Sequence, residues 1–104
     1  MRKWRYEIVL PATHMDERLL ENRPLDQTRK ELEAHFNEST QDPHPTLKIW
    51  ISEDKRCEQR MQRLVVEVDA ASDHREFFPK FKAVLKERFH QIDIYIASYA
   101  IDVV

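Results

Sequence analysis

Apolar and polar residues alternate along four stretches of this chain, and two further stretches carry helical spacing. Trp4, Tyr6, Ile8 and Leu10 interleave with Arg5, Glu7 and Val9, which predicts a half-buried strand that Pro11 ends. Leu47, Ile49 and Ile51 set against Lys48, Trp50 and Ser52 predict a second strand. Leu64, Val66 and Val68 against Arg63, Val65 and Glu67 predict a third. Ile92, Ile94 and Ile96 against Asp93, Tyr95 and Ala97 predict the last, with Tyr99 at its end and 101–104 as an extension through a bulge or a separate short strand. Asn22 and Pro24 are start signals for a helix with Leu25, Thr28, Leu32, His35 and Phe36 on one stripe. Asp73 and Glu76 resemble the capped start of another helix, which carries Phe77, Phe78, Phe81, Val84, Leu85 and Phe89. Pro79 fits the first turn of that helix or marks a kink.

The links follow from residue type. Asp42-Pro43-His44-Pro45 forbids helix and marks a loop. Residues 53–62 are nearly all polar and suit a solvated hairpin, although Cys57, Met61 and Leu64 also fall at helical spacing. Residues 11–23 read as a long loop or a short helical turn capped by Thr13.

Strand, helix, strand, strand, helix, strand is the order of the ferredoxin-like β-α-β-β-α-β plait. The expectation is therefore an α+β two-layer sandwich spanning 1–104 as a single domain. Two helices would cover one face of a four-stranded antiparallel sheet. Tyr6, Ile8, Leu10, Leu47, Ile49, Ile51, Leu64, Val66, Val68, Ile92, Ile94 and Ile96 would form the core.

Alternation also assigns the outer face of the sheet. Arg5, Val9, Lys48, Trp50, Arg63, Val65 and Tyr95 would lie there with Glu7, Ser52, Glu67, Asp93, Ala97 and Tyr99. Trp50, Tyr95, Val65 and Val9 then form an apolar centre ringed by both charge signs, the composition of an interface. Three occupants compete for it: the chain's own tail or 11–23 segment, a second copy in a homo-oligomer, and a single-stranded nucleic acid stacked on Trp50 and Tyr95. Glu7, Glu67 and Asp93 on the same face argue against nucleic acid, and self-association ranks first.

Composition narrows the classes. Lysine and arginine number 17 against 19 acids, for a net charge of -2, which removes the long-range field of a non-specific polyanion binder. Cys57 is the only cysteine, so no intramolecular disulfide forms, as suits a reducing cytoplasm. Glu7 and Pro11 interrupt the short apolar stretch behind the basic start, so it fails as a signal-peptide core. No segment approaches the roughly 20 apolar residues of a membrane helix. The chain has no glycine, which excludes the dinucleotide fingerprint and the P-loop and leaves positive-φ positions to Asn or Asp.

Candidate chemistry is thin. His14, His35, His44, His74 and His90 have no zinc spacing, and no metal or cofactor is expected. His14, Asp16 and Glu17 form the tightest cluster of potential ligands, and Tyr6, His14 and Asp16 are the residues of a candidate ligand or catalytic pocket beside 11–23. Cys57 lies among Lys55, Arg56 and Arg60 but lacks a placed base or oxyanion site.

Leu10-Pro11, Phe36-Asn37-Glu38-Ser39-Thr40, Trp50 and Phe89-His90-Gln91-Ile92 together resemble a loose group of small uncharacterised bacterial plait proteins. Asn37 and Glu38 stand where that pattern has glycines. The resemblance implies the plait and supplies no catalytic residues. The expected function is a non-enzymatic interaction module that self-associates, with a small plait-type enzyme as the alternative.

Overall fold

The computed structural model describes residues 1–13, 22–71 and 74–104. In chain order the elements are β1 Arg2–Pro11, α1 Asn22–Phe36, β2 Thr40–Gln41, β3 Thr46–Ser52, β4 Lys55–Asp69, α2 Phe77–Arg88 and β5 Tyr95–Asp102. The class is α+β, but the four-stranded ferredoxin-like sheet is corrected to a five-stranded antiparallel one. Its path runs β2-β4-β1-β5, and β3 also pairs with β4, off that path.

The prolines explain the extra strand. Thr40 and Gln41 pair with Val65 and Leu64, and pairing resumes only at Thr46 opposite Met61. Between them Pro43 and Pro45 have no amide to give to β4. Asp42 donates its amide to the Arg63 carbonyl at 3.1 Å, then its carboxylate accepts the His44 amide, and the chain loops out. One edge position of the sheet is thus filled by two strands.

Among the described residues the missing glycines are replaced at four turn positions. Asn37, Glu53, Asp54 and His90 all take positive φ, so the expected Asn and Asp are joined by a glutamate and a histidine. Glu53 and Asp54 are consecutive, and two positive φ values are what a tight two-residue hairpin turn requires. That turn excludes the helical reading of 53–62. The polar stretch is hairpin and also strand, since β4 begins at Lys55.

Trp4, Tyr6 and Ile8 of β1 lie beside Val68, Val66 and Leu64 of β4 and beside Ala100, Ser98 and Ile96 of β5. Leu25 and Leu32 of α1 and Phe78, Phe81 and Leu85 of α2 join this row in one buried cluster. Both helices therefore cover the same face. Pro79 sits inside the first turn of α2, where its missing amide breaks no helical bond. Glu76 is the N-cap but makes no side-chain cap bond, and Asp73 lies outside the described residues. Arg88 near the end of α2 donates to the buried hydroxyl of Thr28 at 2.9 Å and to Glu31, clasping the helices together.

Two sets of expected core residues are corrected. Ile92 is 96% exposed, because the last strand starts at Tyr95 and not at 92. Its register with β1 then runs unbroken to Asp102, with no bulge. Leu47, Ile49 and Ile51 are 50%, 48% and 68% exposed. They are paired with Arg60, Glu58 and Arg56, on the helix side of β4, but β1 pairs with β4 only from Met61 onward. Beyond that row β3 and the first half of β4 form an arm with no helix over it among the described residues, and the molecule measures 44 Å in length against 26 and 25 Å across.

Candidate interaction surface

Register separates the residues that alternation had grouped. Arg5, Glu7 and Val9 lie on the outer face beside Glu67, Val65 and Arg63 of β4 and Tyr99, Ala97 and Tyr95 of β5. Trp50 is opposite Cys57, whereas Tyr95 shares the row of Val9 and Arg63. That displacement is about 20 Å along the strands, and β4 and β1 intervene across them. Lys48 and Trp50 belong to the arm, and they do not share a centre with Val65 and Tyr95. Asp93 lies before β5 and pairs with Lys82 of α2 at 3.0 Å, which holds its carboxyl below the usual range. It therefore leaves the outer-face set.

What occupies the centre of the outer face is a charge lattice. Glu7 pairs with Arg5 at 3.5 Å and with Arg63 at 3.7 Å, and it accepts the Tyr99 hydroxyl at 3.0 Å. Arg5 also reaches Glu67, and Arg63 reaches Asp42. The Arg5 Nε atom is enclosed without a hydrogen bond of its own and faces the Glu7 carboxylate. Val65 is buried in the row between Glu7 and Thr40, where long side chains can lay their apolar stems over it. The expected apolar centre is in this way closed by the chain's own charges. Tyr95, 63% exposed, stands at its margin.

The lattice has a measurable signature. The Glu7 carboxylate holds the Tyr99 phenol above the ordinary tyrosine range, and burial raises Tyr6 as well. A phenol that ionises less readily when folded supports folding while protonated, below its unfolded value of about 10. That support is lost as pH climbs through the folded value. Spectrophotometric titration is expected to show a late Tyr99 phenolate, and Glu7→Gln is expected to bring it back toward the ordinary range.

The arm differs on its two faces. On the outer side Trp50 is half-buried, and Lys48 Nζ lies 5.5 Å from its ring centroid. Cys57 beside it is half-buried, with its sulfur 3.8 Å from the Lys55 carbonyl. On the other side Leu47, Ile49 and Ile51 form a stripe bordered by Arg56, Glu58 and Arg60, of which Arg56 and Glu58 are ion-paired. At the root of the arm Gln59 is buried and donates to the Thr13 carbonyl at 3.0 Å.

Of the candidate pocket residues, Tyr6 is among the described ones. His14 and Asp16 lie outside the described residues. Tyr6 faces the helices, its hydroxyl 2.5 Å from Nδ1 of the buried His74 and its ring stacked on Phe78. Sequence reasoning passed over His74, because nothing in its surroundings along the chain signals burial. His35 stacks on Phe77 at the edge of the core. Among the described residues no cluster of three His, Cys, Asp or Glu side chains could hold a metal ion, and no helix is long and apolar enough to cross a membrane. No protein family, curated protein or solved structure matches the chain.

Proposed function

We propose that this chain is a non-enzymatic interaction module that self-associates in the cytoplasm, with the β3–β4 arm as its contact. One observation carries the reading: Leu47, Ile49 and Ile51 stand exposed in a row on an arm that, among the described residues, has no layer over it. Isolated apolar residues on a surface need no explanation, but a continuous stripe bordered by charges has the anatomy of a contact. The lone cysteine supports the reducing compartment. The outer-face centre is disfavoured as the contact, since its charges already satisfy one another.

Sedimentation separates the two surfaces. The wild-type chain is expected to self-associate, Ile49→Glu to make it monomeric, and Tyr95→Glu to leave it associated. Loss of association in Tyr95→Glu alone would move the contact to the outer face. A wild-type chain that stays monomeric to about 1 mM, where even the weakest specific dimers form, would end the reading.

A further inference from the structure

The arm has an open edge. Among the described residues β3 pairs with β4 alone, so one side of its backbone is unmatched. Which residues aim their main-chain groups at that side follows from bonds made by β4. The Arg60 carbonyl accepts the Ala12 amide, on the β1 side, while the Arg63 carbonyl accepts the Asp42 amide, on the β2 side. Main-chain groups alternate direction along a strand. Odd-numbered β4 residues therefore face β3, and Gln59 and Cys57 bond Lys48 and Trp50. Leu47, Ile49 and Ile51, paired with even-numbered residues, turn their amides and carbonyls outward.

Native sheets defend such edges with prolines, bulges or inward charges. Here Pro43 and Pro45 defend the β2 end, but along β3 itself the one charged side chain is Lys48. A free edge whose outward groups belong to its own apolar residues is fitted to accept another strand.

We infer that β3 pairs antiparallel with β3 of a second copy across a two-fold axis at Ile49, which joins two sheets into one; this rests on the arm being the contact. The axes at Lys48, Ile49 and Trp50 give the longest overlaps that set outward groups against outward groups, and side chains choose among them. An axis at Lys48 sets Lys48 against itself, two like charges directly opposed. An axis at Trp50 leaves Leu47 without an apolar partner. The axis at Ile49 sets Leu47 opposite Ile51 of the second copy and Ile49 opposite Ile49, so both stripes run together. It also places each Lys48 opposite the second copy's Trp50, at a site without hydrogen bonds, where side chains approach most closely. The cation that already lies over Trp50 within one chain then has the other ring in reach as well. An isologous contact of this kind closes at two copies.

A residue exchange tests the register. Trp50→Lys sets Lys48 of each copy against the lysine introduced in the other, and is expected to weaken association by about tenfold or more. Adding Lys48→Trp exchanges the two positions and is expected to recover most of the loss, because every lysine again opposes a tryptophan. In a Cys57→Ser background, Ile49→Cys is expected to form an intermolecular disulfide on mild oxidation, whereas Ser52→Cys is not. Circular dichroism verifies that each variant is folded. Loss without recovery, or cross-linking at Ser52 in place of Ile49, overturns the register and leaves the arm as the contact. A wild-type chain monomeric at all concentrations overturns both, and an arm-dependent complex with a different protein alone overturns the second copy as occupant.

Discussion

Ile8→Ala is expected to destabilise the chain by roughly 2–5 kcal/mol, and Ile51→Ala by less than about 1 kcal/mol. Both are isoleucines on the helix side of an alternating strand. Ile8 is fully buried in the central strand, flanked by Leu64 on one side and Ile96 on the other, with side chains of both helices in the same cluster. Removing its branched side chain deletes buried apolar surface and leaves a hole that neighbours fixed in two layers cannot collapse to fill. Ile51 is 68% exposed near the tip of the arm, so truncation changes little that water did not already touch. Denaturant unfolding at a concentration where the chain is monomeric gives both values. A comparable loss at the two positions would mean that the arm is covered by the chain itself, and the proposed contact would go with it.

That contrast shows where the sequence was legible. Period-two alternation names the face of a strand correctly in β1, in β3 and in the second half of β4, because a residue's side is set by the pleat alone. It does not say whether anything lies above that face. Leu47, Ile49 and Ile51 carry the same pattern as Tyr6, Ile8 and Leu10, and the difference is made by where β1 stops. The first half of β4, Lys55 to Arg60, carries no apolar alternation to read, because all of its residues but Cys57 are polar or charged. Its strand character comes from pairing with β3 and from a turn in which Glu53 and Asp54 accept positive φ without glycine. β2 was invisible at two residues. Ile92 lies before the strand it patterns with, since a run of Ile-x-Ile-x-Ile has no internal mark for where it enters the sheet. The helices were the clearest elements, since the Leu25, Thr28 and Leu32 stripe and the phenylalanine stripe each bury one side of a cylinder.

The candidate surface was half legible for a related reason. Alternation places Trp50 and Tyr95 on the outer side correctly, yet distance across a sheet depends on register, which the sequence did not supply. A six-residue offset along β4 turns one expected patch into an arm and a separate charge lattice. The pairings Glu7–Arg5, Glu7–Arg63 and Glu7–Tyr99 join residues from three strands, and a single chain read linearly gives no sign of which opposite charges will meet.

The buried pair of Tyr6 and His74 carries the second large effect. Tyr6 and His74 are 7% and 2% exposed, and each is the other's side-chain hydrogen-bond partner under the start of α2. His74→Leu takes from the Tyr6 hydroxyl the side-chain partner it has among the described residues, at a site only 7% exposed. An unmatched buried polar group costs about 1–3 kcal/mol, and imperfect packing of the leucine adds to it. Tyr6→Phe in the same background removes the stranded hydroxyl and keeps the ring on Phe78, so it is expected to return most of the loss. A double-mutant cycle by denaturant unfolding reads the coupling directly. Coupling near zero would show that the bond contributes nothing to the fold, and the pair would then need a reason other than structure to be buried together.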